Sequence, residues 1–146
     1  MDVETQNAEG VEPPVKLNPV FRCNPMDNLY HLGLTTASDL TRTFSDVEVV
    51  FLMGSSERAE KFAQKLAAGK AVTANLAIGG RCKMFKVGKV TSLSHGMGNP
   101  SCSIFLHETA KLLHHAQADM GRLRFVRLGT SGGLGLAAGS VVVTDK

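Results

Sequence analysis

The chain has 146 residues, enough for one domain with a buried core. Hydrophobic residues make up 43% and charged residues 20%, a balance that suits a globular α/β protein. No apolar run approaches the roughly 18 residues that a membrane span requires. The net charge of +3 is scattered and aromatics reach only 5%, which argues against a nucleic-acid face built from clustered cations and stacking rings.

Residues 1–16 hold Gly10, Pro13 and Pro14 and little to bury, so they are expected to form a disordered tail before a single domain over 17–146. The tail has neither a basic start nor an apolar stretch and does not read as a secretory signal. Cys23, Cys82 and Cys102 are odd in number and lack CxxC spacing, which points to free thiols in a reducing, cytoplasmic setting and away from a zinc site.

Residues 27–43 mix polar and apolar positions and suggest loops with a short helix. Val47 to Leu52 is a nearly continuous, β-branched apolar run, the pattern of a strand covered on both faces. Gly54-Ser55-Ser56 follows, with either serine able to cap a helix over 57–68. Its apolar stripe is Ala59, Phe62, Ala63 and Leu66, and Gly69 is placed to end it.

Residues 71–94 read as strands with turns near Gly79-Gly80 and Gly88. A second helix is expected over 99–116, with Asn99 as cap and Pro100 in its first turn. Cys102, Phe105, Leu106, Thr109, Leu112, Leu113 and Ala116 form its buried stripe. His107, Glu108, Lys111, His114 and His115 occupy the other face and are expected to be solvated or interfacial. Leu123 to Leu128 and residues 140–144 read as further strands. A valine-rich strand two residues from the last residue leads us to expect part of a longer domain.

Two turns could hold an anion. Gly54-Ser55-Ser56-Glu57-Arg58 opens a helix, whose free N–H groups and dipole attract negative charge. Arg58 in that first turn is unfavourable unless an anion joins it; the alternative is an ordinary turn with a solvated arginine. Arg127-Leu128-Gly129-Thr130-Ser131-Gly132-Gly133 follows a strand, where ligands of open α/β sheets bind. Its glycine order is neither a dinucleotide fingerprint nor a Walker motif, so a phosphate or small-anion cradle is the better reading. His95, in Ser94-His95-Gly96-Met97-Gly98-Asn99-Pro100, could serve as a base. No acidic partner at a recognisable spacing supports that, so a structural role is expected.

These motifs occur in a fixed order together with Leu29-Tyr30-His31-Leu32-Gly33-Leu34-Thr35, Leu106-His107-Glu108, Lys111-Leu112-Leu113 and Val141-Val142-Val143-Thr144-Asp145. The set is similar to the uridine phosphorylases, particularly their eukaryotic branch, over residues 17–146. The resemblance implies a three-layer α/β/α phosphorylase/hydrolase-like fold with a central mixed sheet, here the N-terminal half. It implies reversible phosphorolysis of uridine to uracil and ribose 1-phosphate, with inorganic phosphate as co-substrate and no metal or other cofactor. Carried over, Gly54, Arg58, Arg81, Arg127, Leu128, Gly129 and Thr130 correspond to phosphate-binding positions. His31, Thr130, Ser131 and Gly132 correspond to nucleoside-binding ones. In the family the residues at Arg81 and His31 serve a neighbouring subunit's site, which implies a homodimer or larger homo-oligomer.

The family's base-gripping Gln and Arg, and the Met-Glu pair that binds the ribose hydroxyls, belong to a stretch after Lys146. Met53 stands where eukaryotic relatives carry a second glycine. The competing reading is therefore a truncated, catalytically inactive isoform that binds phosphate or a full-length subunit.

Overall fold

The computed structural model describes residues 26–144. The expected tail and Cys23 lie outside them. The elements are β1 (Asn28–Leu29), β2 (Leu34–Thr35), α1 (Leu40–Phe44), β3 (Val49–Met53), α2 (Ser56–Ala67), β4 (Met84–Val87), β5 (Val90–Ser94), α3 (Asn99–His115) and β6 (Arg124–Leu128).

β1 and β2 form a small antiparallel hairpin, and the other four strands form one sheet in the order β4-β5-β3-β6. β3 lies parallel to both β5 and β6, while β4 runs antiparallel to β5, so the sheet is mixed. Strand residues alternate between faces. On one face Val50, Leu52 and Leu93 share a core with Phe105, Leu112 and Leu113 of α3. On the other, Phe51 meets Phe62 of α2 at 4.5 Å and Ser92 Oγ donates to the Ala59 carbonyl at 2.8 Å. Helices cover both faces, giving the three-layer architecture that the resemblance implied. Phe105, Leu112 and Leu113 are each at most 1% exposed. Each such side chain contributes about 1.5–3 kcal/mol through burial.

The local signals decide where the elements start. Ser55, extended at φ −136°, caps α2 by accepting a hydrogen bond from the Arg58 N–H. α2 ends on Ala68 in the left-handed region at φ 48°, one residue before the glycine expected to stop it. Gly98, not Asn99, flanks the start of α3 and supplies no side-chain cap, while Pro100 occupies the first turn. Leu66 is 42% exposed, so α2 buries a narrower stripe centred on Ala59, Ala63 and Ala67.

Two expected strands are corrected. Residues 71–83 are irregular. They run beside β4 through scattered hydrogen bonds, such as Leu76 N to the Met84 carbonyl and Met84 N to Asn75 Oδ1. Here a side chain takes the place of a ladder partner. Residues 140–144 are likewise not a strand across their described part, and Val141, Val142 and Val143 are 71% to 86% exposed. β propensity alone does not make a strand; backbone groups need a ladder partner, and none of the described residues supplies one.

Candidate anion-binding site

The carboxyl ends of β3, β5 and β6 meet at one edge of the sheet. Register pairs Met53 with Ser94 on one side and with Leu128 on the other, and the His95 N–H donates to the Met53 carbonyl at 2.8 Å. The next residue of each strand is therefore Gly54, His95 and Gly129, side by side. A Cβ at Gly54 would lie in ordinary contact, 3.4 Å from the Gly96 carbonyl and 3.9 Å from Arg58 Nη1, so this glycine faces both the neighbouring turn and the arginine. Met53 is fully buried inside β3 and belongs to the core beneath this edge.

Two guanidinium groups approach this glycine floor. Arg58 Nη2 donates to Thr130 Oγ1 at 3.3 Å. Arg127 folds back over Gly129, where an added Cβ would come within 2.9 Å of its Nη1. Among the described residues neither arginine forms an ion pair with a carboxylate. Ser56 Oγ and Ser94 Oγ lie 3.1 Å apart and join the start of α2 to the end of β5, which fixes the helix N-terminus against the sheet. An open cleft of about 430 Å³ beside it is lined by Ser55, Glu57, Arg58, Lys61, Lys65 and Leu128 among others, with Glu57 paired to Lys61 at 2.6 Å. A second hollow of the same volume is lined by Ser131, Gly132 and the loop reaching Val142.

His95 is 2% exposed and both of its ring nitrogens lack a partner among the described residues. Burial, and secondarily the charge of Arg127, hold its pKa below the ordinary histidine value. The lowered pKa favours the neutral ring, and no described carboxylate orients it, as expected from the sequence for a structural histidine.

Arg81 and His31 do not hydrogen-bond to this turn. Arg81 is exposed in the irregular 71–83 stretch. Its neighbour Cys82 is buried and contacts the His31 carbonyl through Sγ at 3.8 Å, with its thiol pushed up to about 12, chiefly by burial. The hairpin turn closes on this stretch. Gly33 has φ +68° and a Cβ there would lie 2.1 Å from Gly79 N, so no side chain fits. The structure therefore separates the expected site residues into the Gly54–Thr130 rim and a hairpin-side group.

The face of α3 expected to be solvated or interfacial divides into the two. His107 and His114 are exposed, but Glu108, Lys111 and His115 lie under the hairpin. Glu108 accepts from the backbone N–H groups of His31 and Leu32, at 3.0 and 3.1 Å, and lies 2.6 Å from His31 Nδ1. Asp27 meets Lys111 Nζ at 2.7 Å and His115 Nε2 at 3.0 Å. Helical periodicity could not reveal this, because the partners are 76 to 88 residues away in sequence.

The Phosphorylase superfamily model matches residues 48–146. The chain is similar to uridine phosphorylase 2 of Mus musculus, 45% identical over 136 residues, covering 88% of this chain and 42% of that relative. It also resembles the inactive uridine phosphorylase B of Schistosoma mansoni, at 38% identity over 82% of this chain and 42% of the relative. Among solved structures, a uridine phosphorylase from Schistosoma mansoni in complex with thymine superposes with a TM-score of 0.75 at 40% identity, over 84% of this chain and 43% of that one. The chain thus spans less than half the length of these relatives. With the family model matching well over half its residues, from the first strand of the sheet onward, the chain belongs to the phosphorylase superfamily.

Proposed function

We propose that this chain carries the phosphate-binding part of a uridine phosphorylase, which converts uridine and phosphate to uracil and ribose 1-phosphate. The observation that carries the reading is the pair Arg58 and Arg127, which approach the Gly129–Thr130 turn without a carboxylate among the described residues to neutralise them. Breaking an N-glycosidic bond builds oxocarbenium-like charge on the sugar while phosphate attacks the opposite face. Positioning and charge stabilisation suffice for such a step, and planar guanidinium groups hold a phosphate dianion in fixed orientation. In this reading Gly54, Arg58, Arg127, Leu128, Gly129 and Thr130 hold phosphate, and Thr130, Ser131 and Gly132 touch the nucleoside. Arg81 and His31 serve the site of a second subunit in the cytoplasm. Similarity to relatives named as uridine phosphorylases supports this reading.

A second reading is a chain that binds phosphate or a full-length subunit without turnover. It is favoured by the likeness to a relative named as inactive. Incubating the purified chain with uridine and phosphate and following uracil release separates them. Turnover removes the second reading; phosphate binding without turnover supports it; absence of both removes the phosphate assignment.

A further inference from the structure

We propose that Glu108 is the positioning residue of His31: it fixes the tautomer of the ring and leaves Nε2 as the nitrogen available to a ligand. For the role of His31 this rests on the reading that His31 touches the nucleoside. The carboxylate of Glu108 has only lone pairs to offer, so the His31 Nδ1 that lies 2.6 Å from Oε1 must carry the proton. Oε2 is held in turn by the N–H groups of His31 and Leu32, so the carboxylate cannot rotate away without stranding donors. The ring is wedged edgewise between Tyr30, at 5.2 Å, and Phe105, at 6.0 Å.

Nε2 has no protein partner among the described residues, yet it does not belong to their buried unsatisfied atoms, and the side chain is 23% exposed. The nitrogen therefore reaches the surface. In a neutral ring protonated at Nδ1, Nε2 is a hydrogen-bond acceptor. An acceptor at this place suits a ligand that brings an O–H group, such as a sugar hydroxyl, and does not suit an anion. Glu108 thereby sets the chemical class that His31 can meet, from the same helix whose Phe105 packs against the ring.

Long-range proton–nitrogen NMR of the full chain at about pH 8, above the ordinary histidine range, reads the tautomer directly. The expected result is an Nδ1–H ring for His31 in the unaltered chain, loss of that bias in Glu108→Ala, and its return in Glu108→Asp. An Nε2–H ring in the unaltered chain overturns the inference, and that measurement holds even if Glu108→Ala fails to fold. An unchanged tautomer in folded Glu108→Ala overturns it too, because a purely structural carboxylate would leave the ring equilibrium alone. Adding uridine with phosphate then tests the underlying reading separately. A shift at His31 Nε2 supports it, while a correct tautomer with an unmoved Nε2 removes the nucleoside role and leaves the Glu108 assignment in place.

Discussion

At the carboxyl edge of the sheet, Arg58 and Arg127 share one turn and no described carboxylate meets them, whereas beneath the hairpin Glu108 and Asp27 are surrounded by their own donors. Both regions join segments far apart in sequence, and both are rich in charge. They differ in who supplies the counter-charge. The hairpin clasp is complete within the chain, so its charges hold structure together. The rim leaves two guanidinium groups, that of Arg127 exposed and that of Arg58 half-buried, without a counter-charge among the described residues, so they are open to an external anion.

The largest effect that could break this contrast is on phosphate affinity. Replacing Arg58 and Arg127 together by alanine is expected to weaken phosphate binding by roughly 100-fold, about 2.7 kcal/mol, with little change in melting temperature. Calorimetric titration measures it, and a loss under about threefold would place the counter-charge elsewhere.

The clasp should respond the other way. Glu108→Ala strands the N–H groups of His31 and Leu32 and the His31 ring, at an expected cost of about 2–4 kcal/mol in urea unfolding. A cost below about 0.5 kcal/mol would mean that water replaces the carboxylate and that the clasp is superficial.

The smallest effects are pH-dependent and separate the regions by window. His95, on the rim side, has its pKa lowered from 6.5 by burial and by Arg127. The unfolded chain therefore binds that proton first, and stability falls as pH drops below about 6.5 towards the folded value. Asp27, in the clasp, has its pKa lowered from 3.8, first by its hydrogen bond to Lys111 and also by His115, against opposing burial. Its contribution is complete above that value and disappears as pH falls through the lower folded one. Denaturation curves across pH should lose the first slope in His95→Phe and the second in Asp27→Asn. Slopes that persist in these variants would assign the titrations to other groups.

Sequence periodicity was enough for β3, α2 and α3, because each buries a stripe that repeats with its own geometry, while β6 was legible from its β-prone residues although none of them is buried. The two glycine turns with their arginines were also legible, since glycine, hydroxyl and cation types report local chemistry directly. The ordered motifs carried the likeness to the phosphorylases. Residues 71–83 and 140–144 misled because apolar, β-branched composition was present without the ladder partner that turns it into a strand. Only tertiary structure decided which face of α3 is covered. Glu108 and Lys111 read as solvated or interfacial, and only the hairpin, some 76 positions earlier, decides that they are covered. The approach of Arg58 to Thr130 was likewise set by the parallel register of β3 and β6, since sheet pairing joins positions that no local pattern relates.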